Sequence, residues 1–331
     1  MRPRRLEERL WYAMREVREF FENLDGEVTK IVVGKSAHLR LMVAAILAGG
    51  HILLDDLPGV GKTTLVKSLS AALGCRYKRI QFTPDLLPSD VVGMNIFDRN
   101  TSSFKRVEGP VMTNILLADE LNRAIPRTQS ALLEAMAERQ VTLDGETNHL
   151  PSPFVVMATQ NPVESESTFR LPAAQLDRFA LCLSLGYLSA PEEADMLKSV
   201  GDDIPFDSID PVTGPDEIND CLERVRSVSV TDDMIDYIVS LVSATRGHPM
   251  LRLGGSPRAT RDLYRCSKSL AAISDRDFVT PDDVHELLIP VLAHRLVRSS
   301  EAGITGKTPQ SVLREIAERV PVPPKKDKLF S

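Results

Sequence analysis

Near the start of the chain, apolar side chains recur at three- and four-residue steps: Leu6, Leu10, Met14, Val17, Phe21 and Leu24, with Arg and Glu between them. That spacing predicts one amphipathic helix over 1–29, whose stripe covers either the chain's own core or a partner. From Val32 onward the pattern changes. The short apolar runs ILLDD, YKRIQF, NILLAD, FVVMAT and ALCLSL have strand composition and are separated by long stretches of helical periodicity. Five such runs with long connections predict an α/β fold, a mostly parallel five-stranded sheet covered on both faces. After Tyr187 the segment LSAPEEADMLKSVGDDIPFDSIDPVTGPDEIND is acidic and proline-rich, and the rest of the chain is almost wholly helical in pattern. A domain boundary is therefore expected near Ser189, with a core over 30–188, a small all-α domain over 189–315 and a flexible tail over 316–331.

Composition narrows the class without naming a chemistry. With 331 residues, 43% of them hydrophobic, the chain can bury a large core and form two domains. A formal charge of -6 argues against a generally basic nucleic-acid surface. The aromatic content, 5%, also offers few platforms for stacking bases. Cys75, Cys182, Cys221 and Cys266 lie far apart and match no metal-ligand spacing, so reduced thiols and a cytoplasmic setting are expected. The most apolar stretch, LMVAAILAGGHILL, is interrupted by Gly49, Gly50 and His51, and the basic N-terminus is followed by no apolar run. Neither a spanning helix nor a leader peptide is expected, and direct membrane insertion is not.

The chemistry sits at the ends of the strand-like runs. ILLDD leads into LPGVGKTTL, a strand followed by a glycine loop and a helix. In such a loop successive backbone amides point at phosphate oxygens, and the helix N-terminus adds favourable partial charge. Pro58, Gly59, Val60, Gly61 and Thr64 form the expected cradle. Lys62 would neutralise the β- and γ-phosphates, and the Thr63 hydroxyl would ligate Mg²⁺. The full pattern G-x-x-x-x-G-K-[ST] asks for glycine where Asp56 stands. An aspartate tolerates turn geometry and can accept hydrogen bonds from the loop itself, so binding is expected to survive.

NILLAD ends in Asp119 and Glu120, an acidic pair at the edge of a parallel sheet where ligands bind. Asp119 can hold the metal through a water, and Glu120 can polarise the attacking water. FVVMATQNP ends in Asn161, which is either a turn residue before proline or an amide that contacts both the γ-phosphate and that water. In LPAAQLDRF, Arg178 is either a surface ion pair with Asp177 or a group that reaches a neighbouring subunit's nucleotide. Arg258, in GGSPRATRDL, starts a helix of the second domain and could touch the γ-phosphate.

Taken together, VVGKSAHLRLM, DLPGVGKTTL, RIQFTPDLLPSDVVG, EGPVMTNILLADELNRA, RTQSALLEAMAERQVTLDG, VVMATQNPVE, LPAAQLDRF and GGSPRAT closely resemble the MoxR family of AAA+ ATPases, in the family's order and over nearly the whole chain. The resemblance implies an AAA+ P-loop core and a helical lid. It makes Lys62 and Thr63 the Walker A contacts, Asp119 and Glu120 the Walker B pair, Asn161 sensor 1, Arg178 the arginine finger and Arg258 sensor 2. It places Val32, Val33 and Gly34 near the adenine of ATP or ADP, and Arg123 becomes a candidate at the subunit boundary. It implies two hairpin insertions, VGMNIFDRNTSSFKRVEGP and RQVTLDGETNHLPSPF, each with turn formers (Asp98, Asn100, Asp144, Gly145) between short arms. The implied function is a Mg²⁺-dependent ATPase that forms a homo-oligomeric, hexameric ring and remodels or matures a client protein. Its expected partner carries a von Willebrand factor A domain, and nucleic acid is not expected. Two alternatives stay open: the motor subunit of a metal-chelatase-like complex, and a nucleotide-dependent assembly scaffold.

Overall fold

The structure, a computed structural model, describes residues 3–100, 102–161, 168–201 and 204–324, with the side chains of 3–15 and of Val200 left out. It divides into two compact units, residues 19–223 and residues 1–18 with 224–331. Helix α1 (Pro3–Thr29) contributes to both. Val17, Leu24 and Val28 of its stripe are fully buried, so this face covers the chain's own core. Leu6, Leu10 and Met14 lie outside the described side chains.

In the first unit, α2 (Ser36–Leu47) precedes β1 (Ile52–Asp55), α3 (Lys62–Ala72), β2 (Tyr77–Gln81) and α4 (Pro88–Val92). A hairpin of β3 (Gly93–Asp98) and β4 (Ser103–Glu108) follows, then β5 (Ile115–Asp119) and α5 (Pro126–Glu138). A second hairpin, β6 (Gln140–Leu143) and β7 (Glu146–His149), leads to β8 (Val155–Gln160), α6 (Ala173–Leu176) and β9 (Leu181–Leu183). The unit closes with α7 (Ala190–Val200) and most of α8 (Pro215–Arg226).

All five expected strands form one sheet in the order β2-β5-β8-β1-β9, every neighbouring pair parallel. Its central strands are apolar on both faces because helices cover both: Ile115 to Asp119 of β5 and Val155 to Thr159 of β8 are all buried. Parallel pairing brings the C-terminal ends of β1, β5 and β8, with their polar residues, to one edge. Both expected hairpins are present, and side chains join them: Asn95 donates to Asp144 Oδ2 (2.8 Å), and Arg106 donates to Asn148 Oδ1.

The expected boundary at Ser189 moves to 223/224. The segment after β9 keeps the texture of a linker yet is fastened to the sheet unit. Val212 N donates to Ala72 O (2.9 Å), Asp210 N to Glu27 (3.1 Å) and Ser152 Oγ to Asn219 (2.9 Å). The Lys67 ammonium also lies 3.6 Å from the Phe206 ring centroid. Gly74, at φ 59, abuts Thr213 so closely that a Cβ would stand 2.1 Å from its carbonyl oxygen. Acidic, proline-rich composition reports exposure, and these contacts leave the side chains largely solvated.

The second unit is helical, with α9 (Asp232–Arg246), β10 (Leu251–Leu253), α10 (Pro257–Ile273), α11 (Pro281–Leu292), β11 (Val297–Arg298), α12 (Ser300–Ile304) and α13 (Pro309–Arg319). Leu263, Leu270, Val284, Leu287 and Val291 meet in its core. Two ion pairs brace it: Arg276 grips Asp283 with both terminal nitrogens (2.7 and 2.5 Å), and buried Arg295 bonds Asp262 (2.6 Å). The helix α13 runs on to Arg319, into the stretch expected as a tail, and residues 325–331 lie outside the described residues. Among the described residues no helix is long and apolar enough to cross a membrane.

Candidate functional site

The loop between β1 and α3 turns on two glycines. Gly59 (φ 81) and Gly61 (φ 85) are left-handed, a conformation that an L side chain resists, and each faces open space. Backbone amides there can converge on an anion at the start of α3. Asp56, only 5% exposed, does work that a glycine cannot. Its Oδ1 accepts from the Leu57 amide (2.8 Å) and its Oδ2 from the Gly186 amide (2.8 Å), which ties the loop's first turn to the chain leaving β9. The Lys62 ammonium donates to the carbonyls of Asp56 and Leu57, both at 2.7 Å. Burial lowers its pKa, against the opposing pull of Asp56, Asp119, Asp55 and Glu120. Burial also raises the Asp55 carboxyl, with a hydrogen bond from Gln160 acting the other way.

At the end of β5 the two carboxylates are held differently. Asp119 is 8% exposed. Its Oδ1 accepts from the Thr159 hydroxyl (2.6 Å) and its Oδ2 from Arg79 (2.6 and 3.1 Å). Glu120 is left-handed at φ 53, a strained state for a residue with a Cβ, and its amide donates to Thr159 Oγ1 (2.8 Å). Its side chain, half-buried, accepts from Arg123 (2.8 Å). The turn beyond it is fixed by buried Gln129, which donates to the carbonyls of Leu121 (3.2 Å) and Ala124 (3.1 Å). Asn161 is buried, and its backbone oxygen accepts from Asn122 (3.3 Å).

These elements enclose a cleft of ≈ 350 Å³ lined by Pro58, Gly59, Gly61, Lys62, Thr63, Thr64, Asp119, Glu120, Thr159, Gln160 and Asn161. A second, more apolar pocket of ≈ 320 Å³ shares Gly59, Gly61 and Thr64 with it and is walled by Val32, Val33, Val60, Tyr187, Met196 and Leu197. Lys35 shapes that wall by donating to the carbonyls of Leu185 (2.6 Å) and Gly186 (3.2 Å). Gly34 (φ 72) does not line the pocket; it lets the chain pass Glu192, whose carboxylate oxygen would stand 2.4 Å from a Cβ there.

Of the residues singled out in the sequence, the loop, Asp119, Glu120 and Asn161 thus share one cleft, with Val32, Val33 and Val60 in the adjoining pocket. Arg178 does not line either one, and its guanidinium donates to the Leu133 carbonyl. Arg258 follows Pro257 in the first turn of α10, in the helical unit. Sequence reasoning passed over Arg79, Thr159 and the pocket walls at Leu185 to Leu188, Met196, Leu197 and Ile204. The register could have found Arg79, since it lies two residues before Gln81, the partner of Asp119 across β2 and β5.

Residues 51–181 match the model of the ATPase family associated with various cellular activities (AAA), and residues 243–316 match that of the AAA lid domain. The chain is 46% identical over 296 residues to the uncharacterized protein YeaC of Bacillus subtilis, covering 89% of this chain and 92% of that one. It is 39% identical over 306 residues to the chaperone MoxR1 of Mycobacterium tuberculosis, covering 90% and 81%. A crystal structure of a Cytophaga hutchinsonii protein superposes with a TM-score of 0.88 at 34% identity, over 95% of this chain and 98% of that one. With a phosphate loop, an acidic strand end and a polar strand end at one sheet edge, and with similarity along nearly its whole length, the chain belongs to the MoxR family of AAA+ ATPases.

Proposed function

We propose that this cleft binds Mg·ATP and hydrolyses it within a ring of identical chains, six in number, and that the cycle remodels or matures a client protein in the cytoplasm. One observation carries the reading: Gly59, Gly61, Lys62 and Thr63 share a cleft with Asp119, Glu120 and Asn161, and an apolar pocket of ≈ 320 Å³, large enough to admit a purine, opens beside it. The donors fit magnesium. Thr63 and Asp119 offer hard oxygens, and among the described residues no cluster of three His, Cys, Asp or Glu could hold a metal alone. Mg²⁺ typically takes its remaining ligands from water and phosphates. Held by Thr63 and, through water, Asp119, it would neutralise charge on the β- and γ-phosphates.

The chain's own residues supply the rest. Amides of the glycine loop and the start of α3 seat the phosphates, and Lys62 exchanges two carbonyl acceptors for phosphate oxygens, a stronger charge-assisted bond. Glu120 is the group at the cleft able to take a proton from water, with Asn161 placed to orient that water. Arg178, from a neighbouring protomer, and Arg258 are the cations we assign to transition-state charge. The M. tuberculosis relative is called a chaperone, and the family resemblance supplies a von Willebrand factor A domain protein as the partner.

The test is Glu120→Gln, which removes the base and keeps the volume. Phosphate release should fall by about a hundredfold or more, with nucleotide affinity within about twofold of wild type. Undiminished release would remove Glu120 from the chemistry and favour a scaffold that binds nucleotide without needing turnover. The same variant, loaded with ATP, is the bait for capturing the partner.

A further inference from the structure

The two oxygens of Asp119 are not equivalent. Oδ1 accepts from Thr159 Oγ1 at 2.6 Å, and that hydroxyl itself accepts from the Glu120 amide, so its one proton is committed to Asp119. Oδ2 is gripped by Arg79, through Nε (3.1 Å) and a terminal nitrogen (2.6 Å). A magnesium ion held through water at this carboxylate would set a divalent cation and a guanidinium on one negative charge.

We propose that Arg79 and the magnesium of the bound nucleotide compete for Asp119, so that metal loading loosens Arg79 from the acidic strand end. This rests on the reading of Asp119 as the metal-holding carboxylate. The arginine can leave at small cost. Its side chain is 48% exposed, and its terminal nitrogen already donates to Gln81 Oε1 at 2.9 Å, on the same face of β2 two residues on. Asp119 cannot follow it, being buried and pinned by Thr159, while the Phe82 amide holds its backbone oxygen (2.8 Å). The guanidinium is therefore the mobile member of the pair. Because β2 leads through α4 into the β3–β4 hairpin, loosening Arg79 acts on the strand that feeds this insertion.

A purely orienting arginine makes the opposite prediction, since losing it would weaken the metal's hold. The test uses the full-length protein, a fluorescent ADP bound in the presence of chelator, and a titration with free Mg²⁺. Arg79→Met and Arg79→Gln should lower the Mg²⁺ midpoint by about three- to tenfold, the range expected on removing one half-exposed cation. Metal-free ADP affinity should not change. Arg79→Lys, which keeps the charge without the fork, should stay within about twofold of wild type. An unchanged or raised midpoint in Arg79→Met and Arg79→Gln, or loss of metal-free binding in both, overturns the competition. Asp119→Asn separates the two ideas: a wild-type response to Mg²⁺ in that variant removes Asp119 from metal holding, whatever Arg79 does.

Discussion

Asp56 shows how a departure from a motif can be a structural part. Its carboxylate joins the Leu57 and Gly186 amides, so Asp56→Gly, which restores the strict glycine pattern, should harm the protein. Two charge-assisted bonds are lost and two half-buried amides must find other acceptors, at a cost of about 2–4 kcal/mol. Denaturant unfolding of Asp56→Gly and Asp56→Ala checks it; a midpoint equal to wild type would mean that the two amides find other acceptors. At this scale their places at strand ends and in the glycine loop were enough to bring Gly59, Gly61, Lys62, Thr63, Asp119, Glu120 and Asn161 to one cleft. Arg79 and Thr159 were not legible in that way, because each earns its role through a partner 40 residues away. No local pattern marks such a pairing before the strand order is known.

At the scale of elements, the buried ring of His51 braces three of them. Its Nδ1 accepts from the Val156 amide of β8 (3.0 Å), so the proton lies on Nε2, which faces the Met136 carbonyl of α5 (3.2 Å). The residue itself leads into β1. Burial first, and then the nearby Arg139 charge, hold its pKa down at about 4, against 6.5 for an ordinary histidine. Between these values the unfolded chain binds a proton that the folded chain refuses. The brace is thus fully present above pH 6.5 and is lost as pH falls towards 4, by up to about 3 kcal/mol. Unfolding curves of wild type and His51→Asn across that window give the measurement, and equal slopes would place the proton uptake elsewhere. The element pattern itself was readable. The five apolar runs became the five strands, and the turn formers at Asp144 and Gly145 (φ 49 and 87) became a hairpin turn. The link from Asn95 to Asp144 was hidden, since they are polar residues, one half-buried and one exposed, on separate insertions.

For the whole molecule, the compact units divide at 223/224, beyond the change of composition at Ser189. Proline and acidic residues mark exposed chain, and the described residues from Ser189 to Glu223 are largely exposed, Ile209, Ile218 and Cys221 aside, while remaining part of the sheet unit. The proposed ring has its own signature. Arg178 sits at the Leu133 carbonyl and outside the cleft that holds Glu120, so turnover should rise with protein concentration as chains associate. Arg178→Ala chains and Glu120→Gln chains, each nearly silent alone, should recover activity when mixed, because one intact Glu120 then meets one intact Arg178. Mixtures as inactive as their parts would leave Arg178 without a role in trans. The pocket beside the phosphate loop has a further consequence for biosynthesis. Its walls at Met196, Leu197 and Ile204 come long after Gly61 in the chain. The phosphate loop is itself late, since β1 pairs only with β8 and β9 and Asp56 is tied to Gly186, so on the proposed reading both halves of the nucleotide site would be completed together, once Ile204 has left the exit tunnel.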